Sequence, residues 1–155
     1  MKKEFESDPW WSDHTLKVYE FTQKIIQGEN IDQNTSELIR VAAILHDIGS
    51  TQAFIKHGSK KGKFQELEGP AVVQRILQYQ NVTVEIIERV SYIVGHHHTM
   101  SAIDGLDFQV IWEADALVNI ADELTFLEDK ERLGKHIEKN FSTFTGKKLA
   151  EEMYL

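Results

Sequence analysis

The chain contains 155 residues, of which 25 are acidic and 17 are Lys or Arg, and its formal net charge is −8. This charge argues against non-specific nucleic-acid binding, because such binding requires clustered cations that displace counterions from the phosphates. The sequence has no cysteine, which excludes a disulfide framework and a thiolate metal site, so any metal would need nitrogen and oxygen ligands.

The length of the chain fits one domain, residues 1–155, that can bury a single core without disulfides. No apolar segment reaches the length of a signal peptide or of a membrane-spanning helix. We therefore expect a cytoplasmic protein that does not bind a membrane.

An apolar stripe predicts the first helix, which Ser12 or Asp13 can cap and which ends at Gly28–Asn30. The residues at helical spacing are Trp11, His14, Val18, Phe21 and Ile25. His14 lies on the buried face of this helix. It is therefore either a metal ligand or a core histidine that bonds a backbone carbonyl.

The second predicted helix carries a His-Asp pair in its last turn. Residues Asn34 to Ser36 can cap this helix, Gly49 can stop it, and its apolar stripe comprises Leu38, Val41, Ala42, Leu45 and Ile48. A buried, ionised Asp47 is costly unless it is paired or binds a cation, and a neutral His46 could bind the same cation. The alternative is an ordinary helix end with a solvated Asp and a His that the helix dipole favours.

The helical pattern lapses from Ser50 to Phe64. The segment His57–Lys63 combines glycines and a hydroxyl with three lysines, Lys60, Lys61 and Lys63. Such a loop can wrap a phosphate with ammonium and backbone donors, or it is only a solvated connector. The next helix, predicted from Gln65 to Gln80, begins with Glu66 and Glu68, which suit the helix dipole and are second-tier site candidates.

Two further helices complete the candidate site. Residues Val84 to Val94 precede Gly95 and a run of three histidines, of which His96 and His97 could bind a metal or a substrate phosphate. An exposed histidine cluster is the alternative. The helix predicted from Phe108 to Phe126 places Asp115 within an apolar row, whereas Asp122, nearer the helix end, is a weaker candidate. Segments 130–136 and 143–155 are predicted to be mostly helical packing elements without chemistry.

Four residues from three predicted helices supply two neutral nitrogens and two carboxylates, a set that suits a divalent cation with open water positions: His14, His46, Asp47 and Asp115. Their order along the chain resembles the HD-domain metal-dependent phosphohydrolase superfamily over about residues 12–122. The strings Ala42–Gly49 and Glu113–Leu117 carry the resemblance. It implies an all-α HD bundle of about six helices around a central metal, followed by a C-terminal helical extension at 128–155.

The resemblance also implies that these four residues hold one divalent metal, more readily than two, with Mn, Mg, Co, Ni, Zn and Fe all compatible. Val94–His98 resembles the paired-His segment of binuclear members. The implied activity is hydrolysis of a small phosphate ester, such as a nucleotide or cyclic nucleotide. In this reading Asp47 is both ligand and water-orienting base, and the phosphate contacts are His96, His97, Lys60, Lys61 and Lys63.

Two alternatives remain open at this point. The same fold could hold two irons and oxidise a small substrate, with His96 and His97 as extra ligands. It could also bind a nucleotide without turnover, as a binding module rather than an enzyme.

Overall fold

The computed structural model describes residues 9–123 and 127–155, with side chains from residue 13 onward. The described residues form helices and no β-strand, which confirms the predicted all-α fold. The helices are α1 (Pro9–Gly28), α2 (Gln33–Leu45), α3 (Ser50–His57), α4 (Gly62–Leu77), α5 (Val84–Val94), a 3₁₀ helix (Met100–Ala102), α6 (Leu106–Asp122), α7 (Lys130–Asn140) and α8 (Phe144–Tyr154). None of these helices is both long and apolar enough to cross a membrane.

Helix α6 is the central element of the bundle. It packs against α1 and α2, and α2 also packs against α5. Helix α4 joins α3 to α5, and α8 packs against α1, α6 and α7. The core between them consists of aliphatic and aromatic side chains that are almost fully buried, among them Val18, Ile25, Ile39, Ile93, Ile111 and Leu117. Burial of each large side chain contributes about 2 kcal/mol, so the core holds the central helices in register.

The starts of the first two helices differ from the prediction. Helix α1 begins at Pro9 rather than after Ser12 or Asp13, because proline is well suited to a first helical turn, where its missing N–H is not needed. The side chain of Trp11, predicted for the buried stripe, lies outside the described residues. Helix α2 is capped by Asp32 rather than by 34–36, since Asp32 accepts a hydrogen bond from the Thr35 N–H at 3.0 Å.

The predicted lapse of helix from Ser50 to Phe64 is wrong for residues 50–57, which form α3. This helix buries Ser50 and Ala53, whereas Phe54 and Ile55 are 57% and 68% exposed, so apolar spacing does not mark its inner face. Helix α4 begins at Gly62, which places Lys63 in its first turn. The true connector is short and starts at Gly58, whose φ of 64° forms the left-handed cap of α3.

Gly49 does not stop α2 through a left-handed conformation, since its φ is −72°. Helix α2 ends at Leu45, and 46–49 form a turn that leads directly into α3. A Cβ atom on Gly49 would lie 2.4 Å from the carbonyl oxygen of Gln65. The glycine is therefore required for the close approach of α4 to the turn that carries His46 and Asp47.

The remaining helix bounds are close to the prediction. Helix α5 has the predicted bounds, and α4 is shifted by three residues toward the N-terminus. Helix α6 starts two residues early, and the predicted end at Phe126 lies outside the described residues. Helix α7 continues to Asn140, beyond the predicted end at His136.

The loop that follows α5 is tied down by one arginine. The Arg89 guanidinium donates to both carboxylate oxygens of Asp104 and of Asp107 at 2.7–3.0 Å. The Tyr92 hydroxyl donates to the Ala102 carbonyl at 3.0 Å. The charge-assisted contacts of Arg89 and the neutral hydrogen bond of Tyr92 together fix the loop on which the three histidines lie.

A buried carboxylate ties the C-terminal helices to α6. Glu113 is fully buried and accepts hydrogen bonds from Gln109 Nε2, from the backbone N–H groups of Ser142 and Thr143, and from Thr143 Oγ1, at 2.5–2.9 Å. Because Thr143 is buried, Glu113 satisfies a backbone N–H and a hydroxyl that would otherwise lack partners.

We predict that Glu113→Ala destabilises the protein by about 3 kcal/mol, because it leaves the two buried donors of Thr143, and the donors of Gln109 and Ser142, without this acceptor. Urea denaturation followed by circular dichroism measures the change. The matched control is Glu88→Ala on the exposed face of α5, which should change stability by less than about 0.5 kcal/mol. Equal effects of the two substitutions would contradict the anchoring role of Glu113.

Candidate metal centre

Three segments bring two histidines and two aspartates together in the core. His14 lies in α1, His46 and Asp47 lie in the turn after α2, and Asp115 lies in α6. His14 Nε2 is 3.0 Å from Asp115 Oδ1 and 3.4 Å from Asp47 Oδ2. His46 Nε2 is 3.3 Å from the same Asp47 oxygen and 3.4 Å from His14 Nε2. The carboxylates of Asp47 and Asp115 thus each lie within 3.8 Å of both imidazole nitrogens.

The turn after α5 adds two more histidines. His97 Nε2 lies 3.1 Å from Asp47 Oδ1, and the rings of His97 and His98 are 4.0 Å apart. This arrangement gives two sets of potential ligands, and within each set the donor atoms lie within 4.8 Å of one another. One set consists of His14, His46 and Asp47, and the other of Asp47, His97 and His98. Asp47 belongs to both sets, one oxygen facing each.

Backbone carbonyls at two helix ends orient the imidazole rings. His46 Nδ1 lies 2.7 Å from the Ala43 oxygen, and His97 Nδ1 lies 2.7 Å from the Val94 oxygen. A carbonyl only accepts, so each Nδ1 carries the hydrogen and each Nε2 faces the cluster. The carbonyls are available because the last turn of a helix leaves them without intrahelical partners.

Burial makes the charges of this cluster interdependent. His46 is fully buried and Asp47 is 3% exposed. Burial alone would raise the pKa of Asp47, but the charges and hydrogen bonds of His46 and His97 hold it well below its usual range. Burial likewise lowers the pKa of His46, but Asp47 and Asp115 outweigh this and raise it to about 9. Without a metal, His46 is therefore an imidazolium that compensates the carboxylates.

The donor set fits a divalent cation. Every candidate ligand atom is an imidazole nitrogen or a carboxylate oxygen, and the neighbouring atoms of His14, His46, Asp47 and Asp115 are 3.0–3.8 Å apart. Ligand bonds of about 2.1 Å at right angles would separate adjacent ligand atoms by about 3 Å. A mixed N/O set of this kind accepts Mn, Mg, Co, Ni, Zn or Fe.

Other predicted site residues lie elsewhere. His96 donates from Nδ1 to the Tyr92 carbonyl at 2.7 Å and packs on the Tyr92 ring, and these described contacts do not reach the cluster. Glu68 pairs with Lys56 and His57 at the end of α3. Asp122 is exposed in the last turn of α6.

The carboxylate of Glu66 binds the turn that carries the three histidines. It accepts from the His98 N–H at 3.0 Å and from Thr99 Oγ1 at 2.8 Å. These contacts attach the start of α4 to the residues that follow α5.

The predicted lysine segment lies beside His98. A Cβ atom on Gly62 would be 2.8 Å from the His98 ring, so the backbone between Lys61 and Lys63 touches that imidazole. Gln65 lies between the two elements, with Nε2 donating to the Lys60 carbonyl at 2.7 Å and Oε1 lying 3.3 Å from His98 Nε2. The backbone of the lysine segment therefore lies on the His98 side of the cluster, and the Lys63 ammonium lies 4.7 Å from the centre of the Phe64 ring.

His98 and Gln65 are the site residues that sequence reasoning missed. Helical spacing beyond Val94 points to His97 alone, but α5 ends there, and the following turn buries His97 while it places the more exposed His98 against Gly62 and Gln65. Gln65 has no charge, and nothing in the sequence pattern indicates it as a site residue. The available signal for His98 was its place in an unbroken run of three histidines.

We predict that Asp115→Ala weakens metal binding about 100-fold, because it removes a carboxylate from the ligand set. Elemental analysis after dialysis against a metal buffer measures occupancy. Asp122→Ala is the matched control one helical row further on, and we expect it to retain metal. A folded, fully metallated Asp115→Ala protein would show that the ligand set is wrong.

The stability of the metal-free protein should depend on pH. The folded state binds a proton at His46 with a pKa of about 9, above the ordinary 6.5. This stabilisation is fully present below pH 6.5 and is lost as the pH rises through about 9. We therefore expect the free energy of unfolding in chelator to fall over this range. A saturating divalent metal should reduce the fall, because metal and proton compete for the same nitrogen. Stability in chelator that is constant or rises with pH would contradict this assignment.

Comparisons with known proteins agree with this geometry. The family model of the HD domain matches residues 11–127. No curated protein matches the chain. A solved structure, that of a predicted HD superfamily hydrolase from an uncultured Thermotogales bacterium, aligns with a TM-score of 0.71 and 23% identity over 99% of this chain and 80% of its own. At this identity the structural likeness establishes the fold. Because the family model spans most of the chain, including all four predicted ligands, the protein belongs to the HD domain family.

Proposed function

We propose that the protein is a metal-dependent phosphohydrolase that cleaves a small phosphate ester. The observation that carries the proposal is the convergence of imidazole nitrogens and carboxylates beside a lysine segment that touches His98. A site with ligands for a cation and lysines on a neighbouring segment suits a substrate that carries a phosphate. The solved structure with the same fold is itself named a predicted hydrolase.

The ligand set would be His14, His46, Asp47 and Asp115. A bound divalent cation would lower the pKa of water and neutralise charge on the phosphate. In the reaction, water attacks phosphorus, the ester P–O bond breaks, and the alcohol leaves with a proton. Asp47 stays ionised at neutral pH because its pKa is held low, so it acts as a hydrogen-bond acceptor that orients the attacking water.

His97 and His98 are better placed than His96 to contact the phosphate. Both belong to the second ligand set, whereas the described contacts of His96 are with Tyr92. Lys60, Lys61 and Lys63 would add ammonium groups on the His98 side. Charge on the phosphoryl oxygens would thus be stabilised from two directions.

The shared position of Asp47 supports a second candidate, a di-iron oxygenase of the same fold. A carboxylate with one oxygen facing each of two ligand sets has the arrangement needed to bridge two ions. Iron at two equivalents per chain, with a visible absorption band, would favour this candidate. One equivalent of a redox-inactive metal would exclude it.

Elemental analysis of protein purified without a His tag, followed by a phosphatase screen with each metal restored, tests the proposal. We expect metal-dependent release of phosphate from at least one ester. Tight nucleotide binding with no phosphate release under any metal would instead identify a binding module.

We predict that changing Lys60, Lys61 and Lys63 together to Gln raises KM about tenfold at low salt, and less at high salt, with metal content unchanged. Steady-state kinetics on the best ester of the screen measures the effect. The control changes Lys24, Lys135 and Lys148 to Gln, which removes the same charge from exposed positions elsewhere. Equal KM values for the two triple variants would show that the lysine segment is only a connector between helices.

A further inference from the structure

A cavity adjoins the metal centre and extends between α6 and α7. Its volume is about 180 Å³, and His97, His98 and Asp115 form the wall shared with the metal centre. The opposite walls include Trp112, Asn119, Glu123, His136 and Asn140. His136 and Asn140 lie in α7, outside the residues 11–127 that match the HD family model.

Hydrogen bonds fix the α7 wall of this cavity. Trp112 Nε1 donates to Asn140 Oδ1 at 3.3 Å, and Asn140 Nδ2 donates to the His136 carbonyl at 2.8 Å. Gln109 Nε2 donates to the Asn140 carbonyl at 3.1 Å. Gln109 also binds the buried Glu113, so the wall is attached to the core of the bundle. A cavity with such preformed walls loses little entropy when it binds a ligand.

The chemistry of the cavity wall selects against a second anionic group. Within the described part of the chain, neither Lys nor Arg lines the cavity, and Glu123 places a carboxylate there. Burial lowers the pKa of His136, which keeps that imidazole neutral near pH 7. Carboxylate, amide and neutral imidazole groups are partners for hydroxyls, and the Trp112 indole suits a ring.

We propose that this cavity holds the alcohol portion of the phosphate ester, and that this portion is an uncharged, hydroxyl-bearing ring with no further phosphate. The inference rests on the proposed function, which places the phosphate at the metal centre. It assigns substrate discrimination to α7, a helix outside the family match. A free sugar ring and the sugar of a nucleoside share the required chemistry.

The test compares ester preference in metal-loaded protein. Wild type should cleave ribose 5-phosphate or adenosine 5′-monophosphate with kcat/KM about tenfold above methyl phosphate, and adenosine 5′-triphosphate poorly. Asn119→Ala and His136→Ala should each reduce the preference for the ring ester about fivefold. Glu131→Ala, on the exposed face of α7, should retain it. The ratio of the two ring esters distinguishes a sugar from a nucleoside.

A preference that is absent in wild type, or that survives both cavity substitutions, would overturn the inference. Failure of the proposed function is separate, because wild type would then release phosphate from no ester. In that case calorimetry with adenosine and with ribose, which lack phosphate, tests the cavity directly. Binding that His136→Ala weakens would support the recognition of a hydroxylated ring, and no binding of either compound would overturn it. Thermal melting of each variant establishes that it is folded.

Discussion

The buried carboxylate of Asp47 is the constraint around which this protein is built. It lies within 3.1–3.4 Å of imidazole nitrogens from His14, His46 and His97, which come from three different parts of the chain. A carboxylate buried without such partners would cost several kcal/mol. Helices α1, α2 and α5 therefore cannot shift relative to one another without exposing or unpairing that charge, and the apolar core and the polar centre require the same arrangement.

The chain builds this centre mainly at helix ends. His46 and His97 each follow a helix by one to three residues and donate Nδ1–H to a carbonyl three residues earlier. The same hydrogen bond to a helix-end carbonyl thus orients two imidazole rings that are far apart in sequence. Gly49 and Gly62 then permit neighbouring backbone and the His98 ring to come close. A helix interior would not offer free carbonyls, and it would keep bulky side chains between the elements.

Sequence reasoning found the parts of the fold where periodicity and burial agree. Helix α5, with a clear apolar stripe, has the predicted bounds. His14 and Asp115 could be predicted as site candidates because each is a polar residue within an apolar stripe. Helix α3 was missed because its large apolar residues, Phe54 and Ile55, face solvent. His98 was missed because turn geometry, rather than helical spacing, places its ring beside His97. His136 and Asn140 belong to a polar helix whose contact with α6 depends on tertiary packing, which local sequence does not encode.

Helix α6 connects the metal centre to the C-terminal helices through residues two positions apart. Two residues along an α-helix are separated by about 200° of rotation, so Glu113 and Asp115 face nearly opposite directions. Asp115 approaches His14, while Glu113 binds the connection between α7 and α8. The cavity between α6 and α7 is thus positioned from the same helix that carries Asp115, a candidate metal ligand. Because its outer wall comes from α7, substitutions there can alter the shape of the cavity while the ligands stay in place. The candidate metal centre and the proposed substrate cavity can therefore change independently, although one helix holds both.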